Sequence, residues 1–178
     1  MSKIKIMVLY LSFIILMTSF PVSAAEPQEA SFSEQVKLSE DIKDFVFETA
    51  ESYDISPFLI FAMIERESSY QVDAENGDCK GLMQVSEKWH KDRMEELGCD
   101  DIMDAYDNIL TGTDFLGELF RKYQDPILVL MVYNMKISTA KRLYKEGRYS
   151  SYALGILERA EELETLYEEE ETSASFSC

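Results

Sequence analysis

The feature that most constrains the fold of this chain is a short helix with no polar face. Serine is a favoured helix cap and proline is favoured at the first helical position, so Ser56-Pro57 predicts a helix start. Residues 58–64, which follow, are all apolar. A helix that is apolar on every side has to be enclosed by other elements. We therefore expect the remaining elements to pack around this helix.

Most of the remaining chain also shows a helical pattern. Apolar residues recur at intervals of three and four residues, and cap residues precede several of these stretches. Helices are predicted to begin at Ser39, Ser86, Asp107, Asp125-Pro126 and about Ser150, and a further short helix is predicted over 138–146. Residues 68–85 lack periodicity and are predicted to form a loop region, and no convincing strand or internal repeat is visible. The expected fold class is all-α, a compact domain of about six to eight helices.

The first residues carry the features of an export signal. Two lysines, an apolar run over 6–20 and small residues up to Ala25 are typical of a secretory signal peptide. The run is short for a membrane span, which needs about 20 apolar residues, and an uncleaved anchor is the alternative. We expect residues 1–24 to be a signal peptide. Its cleavage would leave a protein of the extracytoplasmic cell-wall space with no stable membrane insertion.

The rest of the chain divides into three parts by composition. The predicted parts are a flexible lead-in over 25–36, a compact domain over 37–167 and an acidic disordered tail over 168–178. The lead-in is polar and mixed, and the tail begins with a run of glutamates. Runs of like charge of this kind are usually solvated. The central part is long enough to bury a core and is expected to be a monomer.

The chain is strongly acidic, which excludes some classes of partner. It has 17 Lys and Arg residues against 34 Asp and Glu residues, a net charge of −17. Nucleic-acid binding depends on neutralising phosphates with basic residues, so no nucleic-acid partner is expected. Adhesion to anionic lipid is disfavoured in the same way. Because the chain has one histidine and no clustered cysteines, no metal or other cofactor is expected.

The three cysteines are Cys79, Cys99 and Cys178. An exported protein is able to form disulfides. Cys79 and Cys99 are the natural pair, since both lie inside the predicted domain, whereas Cys178 is the last residue of the sequence. Three free thiols are the alternative, because sequence alone does not determine the connectivity.

Glu67 is the ionisable residue in the most unusual place. It lies at the end of the predicted buried helix, where apolar neighbours would desolvate its carboxyl group and raise its pKa. A carboxylic acid that stays protonated near neutral pH can donate a proton to a glycosidic oxygen. Glu65 lies about 200° away around the helix, so the two carboxyl groups cannot share a face and are not an acid/nucleophile pair. The alternative is a glutamate at the surface or near the helix end.

Five short motifs occur along the chain in an order typical of one enzyme family. They are Glu67-Ser68, Gly81-Leu82-Met83-Gln84, Asp107-Asn108-Ile109, Tyr133-Asn134 and Tyr152. Each is weak alone, but their order over residues 40–160 resembles the soluble lytic transglycosylases, which share a goose-type lysozyme-like fold. The resemblance implies an enzyme that cleaves the glycan strands of bacterial peptidoglycan, between MurNAc and GlcNAc.

The same resemblance implies a mechanism with a single carboxyl group. Glu67 would be the general acid and then the general base. The C6 hydroxyl of the muramic sugar would close a 1,6-anhydro ring, so no second protein carboxylate would be needed. Two alternatives remain: a muramidase on the same fold, which would leave reducing ends, and a catalytically silent glycan-binding module.

The resemblance also implies which residues support Glu67 or contact the glycan. These are Ser68, Gly81, Met83, Gln84, Tyr133, Asn134 and Tyr152. Ser68 would support the site, and Met83 with Gln84 would line the cleft and contact sugar. Gly81 would let the backbone approach closely. Tyr133 and Asn134 would orient the catalytic carboxyl and the glycan, and Tyr152 would close the same face.

The chain departs from the family pattern around Tyr133-Asn134. Val132, Met135 and Lys136 occupy positions where small residues are usual. An altered preference for the glycan or its stem peptide is therefore expected.

Several other residues have simpler interpretations. Trp89 is expected to pack against the core rather than to stack on a sugar, and His90 to be a surface residue. The carboxylates of Asp73, Glu75 and Asp78 are expected to be solvated groups of the loop region.

Overall fold

The computed structural model describes residues 30–176 and confirms the all-α fold class. Its helices are α1 (Phe32–Gln35), α2 (Glu40–Tyr53), α3 (Pro57–Ser68), α4 (Glu87–Leu97), α5 (Ala105–Tyr123), α6 (Pro126–Asn134), α7 (Ile137–Lys145) and α8 (Ser151–Phe176). The signal peptide expected over 1–24 lies outside the described residues. No helix among residues 30–176 combines the length and apolarity that a membrane span needs.

Helix α3 is the centre of the domain, as its apolar sequence predicts. All its residues from Phe58 to Ile64 are buried. It packs against α2 on one side and α8 on another. Burying one large apolar side chain stabilises a fold by about 1.5–3 kcal/mol, so this one helix supplies a large part of the core. The position of α3 also sets that of the candidate residue Glu67, which lies in its last turn.

The expected flexible lead-in over 25–36 is wrong for its last residues. Phe32 is 3% exposed and Val36 is fully buried. The ring of Phe32 makes edge-on contacts with those of Phe58, Phe61 and Tyr167 at centroid distances of 5.2–6.0 Å. Ser31 and Glu34 form a capping box at the start of α1, in which each side chain accepts a hydrogen bond from the backbone N–H of the other residue. A single buried aromatic residue in a polar stretch has no periodicity, so the sequence alone did not reveal it.

The expected disordered tail over 168–178 is also corrected by the structure as far as residue 176. Helix α8 continues to Phe176, although its side chains beyond residue 170 are exposed. Leu163 and Leu166 anchor it in the core. The Glu170 carboxylate accepts hydrogen bonds from the Ser33 backbone N–H and side-chain O–H, at 3.0 and 2.6 Å. Glutamate is a good helix former, so the acidic run extends the anchored helix.

The loop region contains a small sheet that the sequence did not predict. Strands β1 (Glu75–Asn76), β2 (Cys79–Lys80) and β3 (Val85–Ser86) pair antiparallel in the order β1-β2-β3. Each strand has two residues, which is too short to show an alternating pattern. Strand β3 contacts α5, and the Met83 backbone N–H in the connection 81–84 donates a hydrogen bond to Asn108 of α5.

Two further expectations change in detail. Helix α5 begins at Ala105 rather than at Asp107, because the Asp104 side chain accepts hydrogen bonds from the next backbone N–H groups and caps the helix. Cys79 and Cys99 are both free thiols, which contradicts the predicted disulfide. Cys79 lies in β2, whereas Cys99 is buried beside the end of α4. Cys178 lies outside the described residues.

Candidate active site

Glu67 is held between two helices that pack together. It is half-buried in the last turn of α3, and Tyr152 lies in the first turn of α8. The Tyr152 hydroxyl donates a hydrogen bond to Oε1 of Glu67. Tyr152 is only 7% exposed, so its position is set by packing. The contact between α3 and α8 therefore fixes the direction of the carboxyl group.

The surroundings of Glu67 favour its protonated form. Burial raises the pKa of the Glu67 carboxyl above its ordinary value. The hydrogen bond from Tyr152 and the positive charge of Arg66 act in the opposite direction but do not cancel the effect of burial. None of these groups is a carboxylate. The carboxyl group of Glu67 thus stays protonated to a higher pH than that of an exposed glutamate.

The neighbouring carboxylate of Glu65 belongs to a different cluster. Its Oε2 accepts hydrogen bonds from the Tyr70 hydroxyl at 3.0 Å and from Nε of Arg159 at 2.8 Å. Arg159 also donates to the side chain of Gln35 in α1 at 2.6 Å. This cluster joins α1, α3 and α8. Glu65 is thus engaged in an ion pair, while Glu67 faces Tyr152.

Asn108 organises the loop beside the site, a role that the sequence analysis did not assign. It is fully buried in α5. Its Oδ1 accepts from the Met83 backbone N–H at 2.8 Å, and its Nδ2 donates to the carbonyls of Lys80 and Ile102 at 2.8 and 2.9 Å. The sequence signal for this role is the spacing of Asn108, which places a polar side chain on the apolar face of α5.

Gly81 is required by this arrangement for two reasons. Its φ is +68°, in the left-handed region that favours glycine. A Cβ atom at this position would lie 2.4 Å from Nδ2 of Asn108. The close backbone approach expected at Gly81 is thus an approach to a buried side chain of the protein.

Met83 does not line the cleft with its side chain, contrary to expectation. It is fully buried. Its sulfur lies 3.8 Å from Oγ1 of Thr113, and it packs so closely on Gly112 that a Cβ there would be 2.7 Å from the sulfur. The backbone carbonyl of Met83 instead accepts a hydrogen bond from the Tyr133 hydroxyl at 3.0 Å. Met83 therefore supports the site from behind.

The other predicted site residues divide into core-facing and open positions. Ser68 is buried, and its hydroxyl donates to the Ile64 carbonyl at 3.0 Å, within α3. Gln84 is half-buried, and its amide donates to the carbonyls of Ala74 and Gly81 at 3.1 and 3.0 Å. Asn134 is exposed at the end of α6. Of these three, Gln84 lies at the groove described next.

A groove of 740 Å³ lies beside β2, β3 and the end of the connection between them. Its lining includes Gln84 and Tyr133, together with Cys79. Burial raises the pKa of the Tyr133 hydroxyl, and the nearby Glu67 carboxylate raises it further. The pKa of the Cys79 thiol is raised by burial and by the same carboxylate. The Glu67 carboxyl is thus close enough to two groove-lining side chains to affect their pKa values, although it does not itself line the groove. Its volume is typical of ligand-binding clefts, which span about 300–1,000 Å³.

The remaining polar candidates do not form a second site. His90 is half-buried rather than a surface residue, and its ring packs on that of Phe115 at 4.6 Å. Asp73, Glu75 and Asp78 are exposed, as expected, but the carboxylate of Glu75 also pairs with Lys80. Among residues 30–176, no group of three or more His, Cys, Asp or Glu side chains is placed to hold a metal ion.

The fold and the site define a helical, lysozyme-like domain built around one desolvated glutamate. Residues 44–154 match the family described as the Transglycosylase SLT domain, and the chain belongs to this family. The match covers more than half of the sequence and includes Glu67, Asn108, Tyr133 and Tyr152.

Two solved structures share the fold. One is an inactive mutant of the lytic transglycosylase Slt from Pseudomonas aeruginosa, with a TM-score of 0.61 and 18% identity over 72% of this chain. The other is the 70 kDa soluble lytic transglycosylase Slt70 from Escherichia coli, with a TM-score of 0.55 and 17% identity over 76% of this chain. The match covers 24% of each of those proteins, so this chain corresponds to about a quarter of their length.

Proposed function

We propose that this chain is an exported peptidoglycan lytic transglycosylase with Glu67 as its single general acid and base. It would cleave the β-1,4 bond between MurNAc and GlcNAc and leave a 1,6-anhydro-MurNAc end. The observation that carries the proposal is the desolvated carboxyl of Glu67, whose pKa is shifted by burial, Tyr152 and Arg66 and by no second carboxylate. Export is supported by the signal-peptide pattern of residues 1–24.

The proposed reaction uses the two oxygens of Glu67 differently. Tyr152 donates to Oε1 and holds it, which leaves Oε2 to carry the proton. Transfer of that proton to the glycosidic oxygen breaks the bond between the oxygen and C1 of the muramic sugar. The resulting carboxylate then accepts the proton of the C6 hydroxyl as O6 bonds to C1. One carboxyl group suffices because the nucleophile, the C6 hydroxyl, belongs to the substrate.

The end group of the product tests this proposal. We expect the purified protein to release muropeptides from peptidoglycan whose muramic ends resist reduction by borohydride. Their mass should be lower by one water than that of the hydrolytic product. Mass spectrometry of the released fragments measures both properties. Reducible ends would instead indicate a muramidase, and the absence of any release would indicate a glycan-binding module.

Replacing Tyr152 with phenylalanine is expected to move the pH profile of the enzyme. The Tyr152 hydrogen bond lowers the pKa of Glu67, so its removal should raise that pKa further. Glu67 must be protonated to donate its proton, and activity is lost as the pH rises through this pKa. The alkaline limb of kcat/KM should therefore move to higher pH in Tyr152→Phe. Initial rates on soluble glycan across the pH range measure the shift.

Tyr149→Phe is the matched control for this experiment. Tyr149 is exposed just before α8 and packs on Tyr144, and it is not among the groups that shift the pKa of Glu67. Its removal should leave the alkaline limb in place. A limb that stays unmoved or moves to lower pH in Tyr152→Phe would contradict the assigned role of the hydroxyl.

A further inference from the structure

The side chain of Trp89 lies open to solvent at the edge of the groove. It is 75% exposed in the first turn of α4, so its expected packing in the core is wrong. It lines the groove together with Tyr133 and Gln84. The ammonium group of Lys88 lies 5.3 Å from the ring centroid, yet most of the indole remains accessible. The indole face is therefore accessible to a ligand that enters the groove.

The charge of the groove differs from that of the whole chain. The chain has a net charge of −17, but no carboxylate is among the residues that line the groove. Lys136 is the only lysine or arginine among them. His90 also lines it, but burial and the nearby Arg93 charge lower its pKa, which favours the neutral ring. The groove therefore offers one cation and no competing anion.

Lys136 and Trp89 belong to different elements of the groove wall. Lys136 is exposed at the N-cap of α7, between Met135 and Ile137, which also line the groove. It forms no ion pair with any carboxylate of residues 30–176. Its ammonium group is free to bind an anionic ligand. The lysine replaces a residue that is small in the family pattern.

We propose that Trp89 and Lys136 determine which glycan this site accepts. Trp89 would stack on the apolar C–H face of a pyranose ring next to the cleaved bond. Lys136 would pair with a carboxylate carried by the muramic sugar, either on its lactyl group or on its stem peptide. This inference rests on the proposed function, since it takes the glycan at Glu67 to be peptidoglycan. Tyr133 lines the groove from α6, and α6 packs against α8, which carries the Tyr152 that bonds to Glu67; this proximity argues for the occupant.

Trp89 is the only tryptophan of the chain, so its fluorescence reports directly on this surface. The experiment titrates three ligands into the Glu67→Gln protein, which should bind without cleaving. The ligands are a chito-oligosaccharide without carboxylates, a peptide-free glycan with lactyl carboxylates, and a soluble glycan with stem peptides. We expect all three to shift the emission to shorter wavelength, because stacking removes water from the indole. Calorimetry with Trp89→Ala added should show affinity reduced about tenfold for all three.

Lys136→Gln, in the same Glu67→Gln background, separates the role of charge from that of stacking. We expect it to weaken binding of a carboxylate-bearing glycan about fivefold at low salt, and less as salt screens the pair. Binding of the chito-oligosaccharide should not change. The carboxylate source is the lactyl group if the peptide-free glycan is affected, and the stem peptide if only the peptide-bearing glycan is. Lys145→Gln, at the exposed other end of α7, is the matched control and should leave every affinity unchanged.

Three outcomes would overturn the inference. One is calorimetric saturation with glycan while the fluorescence of Trp89 stays constant. Another is an unchanged affinity after Trp89→Ala. The third is an equal effect of Lys136→Gln on the affinities for all three ligands, which would show that Lys136 does not pair with a carboxylate. The proposed function is tested separately by product release: anhydro ends without a Trp89 response would defeat this inference alone, and a Trp89 response without cleavage would defeat only the enzyme assignment.

Discussion

Glu67→Gln is expected to abolish glycan cleavage while leaving the fold intact. The substitution removes the only proton that the proposed mechanism can donate, and general acid–base catalysis contributes about 10²–10⁴-fold to a rate. Because Glu67 acts twice, as acid and then as base, we expect kcat to fall by about 10³-fold or more. The amide oxygen can still accept the Tyr152 hydrogen bond, so the local geometry is retained. Release of soluble muropeptides from purified peptidoglycan measures the loss.

The matched control is Glu65→Gln, the same change two residues earlier in α3. Glu65 pairs with Arg159 and Tyr70 rather than with Tyr152. Its replacement should lower stability through the lost ion pair but leave kcat within a few-fold of the parent. Equal activity of the Glu67→Gln protein and the parent protein would remove Glu67 from its role. A large loss in both variants would show that cleavage depends on the integrity of α3 rather than on one carboxyl group.

The thermal stability of the Glu67→Gln variant provides an independent check. The folded state raises the pKa of Glu67, so its contribution to stability is fully present at low pH. That contribution is lost as the pH rises through the folded-state pKa, because the buried carboxylate is then charged. Glutamine has no such penalty. The variant should therefore melt above the parent at pH 7, and the difference should shrink towards pH 4. A lower melting temperature at pH 7 would indicate disturbed packing.

Elements encoded by local signals were predictable from the sequence. The start of α3 at Pro57 and of α6 at Pro126 follow from a cap residue and a proline, and Asp125 caps α6 through the Leu128 N–H. The end of α4 follows from Gly98, which has a φ of +73°. These signals depend only on neighbouring residues, so no knowledge of the tertiary structure is needed to read them.

Features that depend on distant contacts were not predictable. Phe32 is ordered because it reaches the rings of α3 and α8, and α8 extends because Leu163 and Leu166 anchor it. The strands of two residues exist through their pairing rather than through a pattern of their own. In each case the sequence around the residue is unremarkable, and the partner lies elsewhere in the chain.

The candidate site shows the same division. The motif around Glu67 made it the candidate, and its position at the end of an apolar helix predicted the direction of its pKa shift. The prediction that the Met83 side chain lines the cleft was wrong. Its burial depends on the space left by Gly112 on α5. The exposure of Trp89 was also missed, since amphipathic spacing does not reveal which face of a short helix meets a groove.

Asn108→Ala is expected to be the most destabilising change near the site. It removes the partner of one buried N–H group and two carbonyls, those of Met83, Lys80 and Ile102. A buried polar group left without a partner costs about 1–3 kcal/mol, and a water in the new space can replace only part of the network. We expect the free energy of unfolding to fall by about 3 kcal/mol or more. This corresponds to about 10 °C in melting temperature for a domain of this size. Asn134→Ala, at an exposed asparagine, should change it little.

A double-mutant cycle with Gly81 separates this network from general damage to the core. Gly81→Ala alone should be destabilising, because its Cβ would lie 2.4 Å from Nδ2 of Asn108 and the backbone has a φ of +68°. In the Asn108→Ala background the steric clash disappears and only the backbone strain remains. Residues in contact commonly show coupling of about 0.5–3 kcal/mol. The double variant should thus lose less stability than the sum of the two single variants, as measured by urea denaturation. Additive losses would mean that Asn108 does not hold the loop at Gly81, and the support that this loop gives to the Met83 carbonyl and Tyr133 would then need another source.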